Sequence, residues 1–232
     1  DTNPATALNV FGGPNNPATL AKIRDNLFVI TGRTKLDVAN VQLDGSLFDL
    51  PGGAVRVALG GEYREEYTYT DLLTGQAATP RSVADSGTRN VKAVFGELFV
   101  PIVGSGNAMP GIEQLSLSIA GRYEKYSDFG STTNPKIGIN WIPTDGLTIR
   151  GSYGTAFRAP TIPEIYGNSN NLFGQNYNNP AGGGSLLGFA LSGANTNLGP
   201  ETATTWSVGA DVEPTDNLRL SLTYFDVEYN NQ

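Results

Sequence analysis

The chain has 232 residues, 15 of them basic and 22 acidic, for a formal net charge of −7, and it contains neither cysteine nor histidine. Those two zeros exclude disulfide frameworks, thiol nucleophiles, Cys/His zinc sites and every Ser-His-Asp or Cys-His catalytic arrangement. With a pI of about 4.6, the chain also lacks the basic footprint that a phosphate backbone needs, so nucleic acid is not an expected partner.

No run of about eighteen apolar residues exists that could form a transmembrane helix. Barrel strands cross membranes differently: they alternate, and their hydropathy averages out to something like the mean of −0.22 found here. The opening Asp1-Thr2-Asn3-Pro4 reads as a mature or internal start rather than a signal peptide. Residues 1–33 show no alternation. Asn16-Pro17 followed by Leu20, Ile23 and Leu27 predicts a short capped helix in a loop ahead of the first strand.

From residue 34 onward period two dominates, and eight strands are predicted at 34–49, 54–71, 91–103, 112–128, 135–142, 147–156, 201–213 and 218–230. In the second, Val55, Val57 and Leu59 alternate with Ala54, Arg56 and Ala58. The fourth sets Leu115, Leu117 and Ile119 against Ser116, Ser118 and Ala120, and the fifth sets Ile137, Ile139 and Trp141 against Lys136, Gly138 and Asn140. Leu147, Ile149 and Tyr153 share one face of the sixth. Trp206, Val208 and Val212 do so in the seventh, and Leu218, Leu220, Leu222 and Tyr224 in the last.

Short turns such as Leu50-Pro51-Gly52-Gly53, Pro143-Thr144-Asp145-Gly146 and Pro214-Thr215-Asp216-Asn217 alternate with connections of which two, 72–90 and 157–200, are long. Unlike ends of this kind describe an up-and-down meander as in outer-membrane barrels. Soluble sandwiches use strands of about five or six residues, much shorter than those predicted here. Phe48, Phe99 and Trp141 near the short turns fit an interfacial aromatic girdle. Tyr63, Arg64, Glu65, Glu66, Tyr67, Tyr69, Tyr123, Glu124, Lys125 and Tyr126 lie near the long connections.

Several blocks in order along residues 9–229 carry a family likeness. Arg150-Gly-Ser-Tyr-Gly-Thr-Ala-Phe157-Arg158-Ala-Pro160 with Glu164-Ile-Tyr166, and Pro200-Glu201-Thr-Ala-Thr-Thr-Trp206-Ser-Val-Gly209, resemble the barrel signature of TonB-dependent outer-membrane receptors. Gly45-Ser-Leu-Phe48-Asp-Leu-Pro51, Gly61-Glu-Tyr63-Arg64-Glu65, Phe95-Gly-Glu97-Leu98, Gly121-Arg122-Tyr123 and Tyr126-Ser-Asp-Phe129-Gly130 are similar to further parts of it.

The resemblance implies an all-β fold: an antiparallel up-and-down meander of about eight long strands, part of a large transmembrane barrel of about 22 strands. It implies a receptor of the Gram-negative outer membrane, not an enzyme, with no cofactor. Such a receptor touches membrane lipid, binds a small-molecule nutrient and takes energy from TonB through an N-terminal plug region. Siderophore-iron, cobalamin and oligosaccharides are the substrate classes it implies, and residues 157–200 do not discriminate among them. In these terms, residues 1–33 are a loop with a short helix, 34–156 hold six strands, 157–200 are a long extracellular loop and 201–232 hold the last two strands. Against the family's pattern the expectation is that these residues hold no plug and no TonB-box segment, and Asn230-Asn231-Gln232 is not the aromatic strand end that usually closes such barrels. The expectation is therefore an internal piece covering about a third of such a barrel, insoluble or aggregating by itself because an open sheet leaves unpaired edges.

Candidate ligand contacts follow from position. Arg158, where the sixth strand leaves for the long loop, is either an anion contact or a charge partner within the lumen wall. Tyr166, Phe173 and Tyr177 form either an aromatic platform for a siderophore or sugar, or ordinary loop packing. Asn168, Asn170, Asn171, Asn176, Asn178 and Asn179 offer hydrogen bonds to a polyol or, as such residues often do, turn chemistry. Glu62, Glu65 and Glu66 suggest a glycosidase pair. However, Glu62 and Glu66 share a face about 13 Å apart, wider than either glycosidase geometry, and Arg64 between them points to wall pairing instead. Asp85, Asp128, Asp145 and Asp226 have no calcium-loop spacing, and no metal site is expected. Two other functions remain open on these residues: a soluble acidic β-sandwich that binds carbohydrate through the Asn/Tyr/Gly-rich loop, and a passive porin-like channel.

Overall fold

The computed structural model describes residues 7–10, 12–167, 171–215 and 217–231, with the side chains of 171–173, 191 and 192 outside that description. In chain order the elements are α1 (Pro17–Arg24), β1 (Asn26–Leu50), β2 (Gly53–Gln76), β3 (Thr79–Val103), β4 (Gln114–Tyr126), β5 (Gly130–Thr144) and β6 (Leu147–Arg158). They continue with α2 (Ile162–Tyr166), β7 (Asn171–Asn178), β8 (Ser185–Ser192), β9 (Glu201–Thr215) and β10 (Leu218–Asn230). Eight strands form one antiparallel sheet in the order β1-β2-β3-β4-β5-β6-β9-β10, and β7 and β8 form a separate two-stranded sheet. The all-β meander expected from the sequence is the fold.

By packing, the chain divides into two compact units. One comprises Asp1–Lys35, Tyr67–Thr88 and Ile162–Thr196; the other comprises Leu36–Glu66, Arg89–Thr161 and Asn197–Gln232.

In the second unit, register explains how alternation becomes two faces. Directly opposed residues of antiparallel strands share a face. Leu115 faces Trp141, Trp141 faces Ile149, Ile149 faces Ala210 and Ala210 faces Leu222. Ile119, Ile137, Tyr153 and Trp206 make a parallel row. Among the described residues nothing covers this apolar band: Val208 is 52% exposed and Leu222 77%. The opposite face carries Asn140, Arg150, Gly209 and Thr223 in one row and Gly138, Ser152, Ser207 and Phe225 in the next. A soluble sandwich would seal Leu218 and Leu220 between two sheets, yet they are 48% and 55% exposed. That reading is overturned.

In the first unit, α1 starts as its sequence predicts. Asn16 caps it, its side chain accepting the Ala18 N–H at 2.8 Å, and Lys22 and Arg24 occupy the last turn, where cations suit the helix dipole. Ala77 N–H bonds the Asp25 carbonyl at 2.9 Å. The buried apolar residues Ile162 and Ile165 belong to α2.

Three boundaries differ from expectation. The first strand begins at Asn26, not 34. The connection expected at 72–90 is strand: β2 runs to Gln76 and β3 starts at Thr79. Residues 157–200 contain α2 and the β7–β8 hairpin, which turns at Gly182-Gly183-Gly184. In the first case the run Leu27-Phe28-Val29-Ile30 is continuously apolar and so shows no alternation to mark it. In the second the ladder partner satisfies the backbone, and the strands continue through Thr-, Ser- and Asp-rich sequence. Of the two long connections that distinguished the sheet's ends, only the one between β6 and β9 remains.

Candidate functional site

The polar face of the second unit is a charge lattice built by period-two spacing, which puts Glu62, Arg64 and Glu66 on one side of β2. Arg64 donates from Nη1 to Glu62 at 2.8 Å and from Nε to Glu66 at 2.6 Å. Arg122, on β4, reaches Glu62 at 3.3 Å and Glu124 at 2.8 Å. The Tyr126 hydroxyl donates to Glu124 at 3.3 Å. Between these strands lies the Phe95 ring, with the Arg122 guanidinium 5.2 Å above its centroid. The ring fits because Gly60 has no Cβ; one placed there would collide with it. Both carboxylates of the glycosidase reading are thus tied to the same arginine. The arrangement holds a wall and offers no free acid–base pair.

At the end of this lattice Arg89 is 3% exposed. Its Nε donates to Asp128 Oδ2 at 2.7 Å and its Nη2 to the Pro160 carbonyl at 2.6 Å, with Glu66 at 3.8 Å. The rings of Tyr126 and Phe129 lie 5.5 and 5.4 Å from the guanidinium carbon. Burying a charge this deeply is tolerated only when it is paired and fully hydrogen-bonded. The cluster fixes the chain two residues beyond Arg158, where β6 ends. Sequence reasoning misses it, because Arg89 lies in a stretch without alternation and its partners Asp128 and Pro160 are far along the chain. A further polar knot joins β6, β9 and β10: Arg150 donates to Asp211 at 3.0 Å and to Thr223 at 2.7 Å, and the Ser221 hydroxyl donates to Asp211.

Arg158 stands opposite Glu201 in register and donates to it twice, at 2.9 and 2.6 Å, with half its side chain exposed. The wall-pairing geometry is therefore present. Tyr166 ends α2, 42% exposed. α2 lies close on β3 because a Cβ at Gly87 would strike Ile162 and the Tyr166 ring. Beside that contact is a pocket of about 220 Å³ lined by Thr68, Thr70, Asp85, Gly87 and Tyr166. Tyr177, on β7, is 43% exposed and its ring covers Gly188.

Phe173 pairs with Ala190 across the hairpin, and its side chain lies outside the described residues, as do Asn168 and Asn170 altogether. Asn179 is turn chemistry: its side chain accepts the Ala181 N–H at 3.0 Å and its N–H bonds the Gly184 carbonyl at 2.9 Å. Tyr166 and Tyr177 belong to one unit and Arg158 to the other. Among the described residues no three acidic side chains converge as a metal ion would require.

A sheet of long antiparallel strands with an uncovered apolar face and a charge-laced polar face has the construction of a transmembrane barrel wall. The sequence model of the family described as TonB dependent receptor-like, beta-barrel matches residues 3–232, and the chain belongs to that family, one of receptors and not of enzymes. It is 24% identical over 249 residues to heme/hemopexin utilization protein C of Haemophilus influenzae, which covers 95% of this chain and 31% of that protein. It is 34% identical over 113 residues to the hemin receptor of Yersinia enterocolitica, covering 46% of this chain and 15% of the receptor. A variant of the ferric enterobactin receptor PfeA of Pseudomonas aeruginosa superposes with a TM-score of 0.61 at 20% identity, over 87% of this chain and 28% of that one. The chain spans less than a third of the length of these relatives.

Proposed function

We propose that this chain supplies wall and ligand-side loops to an outer-membrane receptor of Gram-negative bacteria. The receptor binds ferric iron held in an organic chelate outside the cell and passes it inward with TonB-coupled energy delivered through a plug region. The observation that carries this reading is the family match over residues 3–232, together with relatives named for heme and hemin use. The uncovered apolar band faces lipid in this reading, and the Arg64, Arg122 and Arg150 networks face the lumen. Residues 157–200 form the extracellular insert, and Arg158, Tyr166, Phe173 and Tyr177 are its ligand contacts.

Heme is the favoured chelate among the classes handled by the family. The chain has no histidine or cysteine and one methionine, and Met109 sits in the connection between β3 and β4. Tyrosine is then the residue able to give heme iron an axial ligand from the insert, and Tyr166 and Tyr177 are exposed there.

The test is titration of the detergent-purified receptor carrying this chain with hemin, ferric enterobactin and cobalamin, read by absorbance. Hemin binding with a shifted Soret band is expected. Tyr166→Phe and Tyr177→Phe should together weaken it at least about fivefold, the equivalent of one polar contact of about 1 kcal/mol. Binding of cobalamin with indifference to hemin would overturn the substrate assignment.

A further inference from the structure

Among the described residues, two lysines on the apolar side of the sheet have no ion-pair partner. Lys92 on β3 and Lys125 on β4 are directly opposed in register, both exposed. Among the described residues neither forms an ion pair, although Glu65 lies on the neighbouring strand. Like charges facing each other across a ladder destabilise it. On the opposite face of this sheet Arg64, Arg89, Arg122 and Arg150 are each ion-paired. The pair of Lys92 and Lys125 differs in being two cations set against each other in one register position.

Its surroundings suit an anion. The two lysines border a shallow depression of about 430 Å³, together with Tyr63, Asn90, Tyr126 and Ser127. The Tyr63 hydroxyl donates to Asn90 Oδ1 at 3.0 Å, and the Asn90 N–H bonds the Ser127 hydroxyl at 3.0 Å. That holds the polar rim in place and, among the described residues, leaves the Asn90 amide N–H₂ group without a bonded partner. Ser131, opposite Lys125 on β5, adds another hydroxyl to the same face.

Position supplies the second argument. Along the same face, the ladder continues from Lys92/Lys125 through Val94/Tyr123, Leu98/Ile119 and Val100/Leu117 to Val103/Leu115, with Val94 60% exposed. From Lys125 to Leu115 the strand advances about 33 Å, and at a tilt of about 45° this spans about 23 Å, close to the apolar band of about 25 Å that a barrel presents to lipid. Trp141 faces Leu115 at the far end of that band. The lysines therefore sit at the edge of the hydrocarbon, where headgroups begin, at the end where β6 leads into the long insert.

We propose that Lys92 and Lys125 bind the phosphate of a phosphorylated lipid headgroup, with the acyl chains lying down the Val94–Leu115 ladder. The inference rests on the membrane reading above, and adds to it a defined lipid site. The phosphate supplies the counter-charge that the protein omits, and the site ties the receptor to an anionic lipid of the outer leaflet.

The experiment uses the receptor carrying this chain in nanodiscs of phosphatidylcholine alone or doped with phosphatidic acid, with lipid bound to the protein counted by native mass spectrometry. Phosphatidic acid should be retained preferentially. Lys92→Gln with Lys125→Gln should lower that preference about fivefold per lysine, the value of one basic side chain at an anionic surface, whereas Lys92→Arg with Lys125→Arg should keep it. Equal retention of both lipids, or an unchanged preference in the Gln variant, overturns the proposal. So does inorganic phosphate displacing the lipid at comparable concentration, since that marks a free-anion site. If the Gln variant fails to fold, the Arg variant and the phosphate competition decide. A protein that does not enter discs at all sinks the membrane reading itself, an outcome distinct from entry without headgroup preference.

Discussion

The wall around Arg89 and the hairpin β7–β8 solve the problem of polar and apolar groups in opposite ways. Around Arg89 every charge is matched: Asp128, Glu66 and the Pro160 carbonyl surround one guanidinium, and two rings cover it. In the hairpin, apolar side chains stand open, Leu187 at 76% and Phe189 at 78% exposed, on an eight-residue ladder anchored by turn chemistry at Asn179. The first arrangement is over-determined and tolerates little change. The second has few restraints, which is where segments that adapt to ligands are found.

Substitution should expose that contrast, most strongly at Arg89. Arg89→Ala leaves Asp128 buried without a counter-charge, and unfolding in denaturant should show a loss of about 3–5 kcal/mol. Arg89→Lys should recover part of it, because an ammonium keeps the charge but not the fork that bonds two acceptors at once.

A smaller but still large effect belongs to the apolar band. Val208→Arg, in the middle of β9, should cost about 2–4 kcal/mol when the protein is folded in lipid, whereas Leu187→Arg in the hairpin should change stability by no more than about 0.5 kcal/mol. Equal costs at both positions would erase the distinction between a lipid-facing wall and an open insert.

The smallest effect is expected at the half-exposed Arg158–Glu201 pair. Arg158→Ala should lower stability by at most about 1 kcal/mol. A larger drop in ligand affinity than in stability would give Arg158 a role in binding beyond wall pairing.

Much of the architecture was legible because the strands alternate where one face must be apolar. The turns at 51–53 and 145–146 and the strands around Leu117, Ile137, Ile149, Val208 and Leu220 fell where their residues placed them. The tips of β2 and β3 did not. Thr70, Asp71, Ser82 and Asp85 carry no apolar period, because a strand that stands in water needs only its ladder. The Glu62–Arg64–Glu66 pairing could be read from spacing alone. Arg89 could not, since its partners lie at Asp128 and Pro160, far along the chain.

Alternation, turn residues and the ordered receptor-like blocks determined by themselves that this protein is a meander of long strands with one greasy and one wet side, because period two maps directly onto the two faces of a sheet. Which charges are neutralised by protein and which are left open was decided only in three dimensions. An ion pair depends on which strands become neighbours and in what register, and so Arg89 acquired three acceptors while Lys92 and Lys125 were set opposite each other with no ion pair among the described residues.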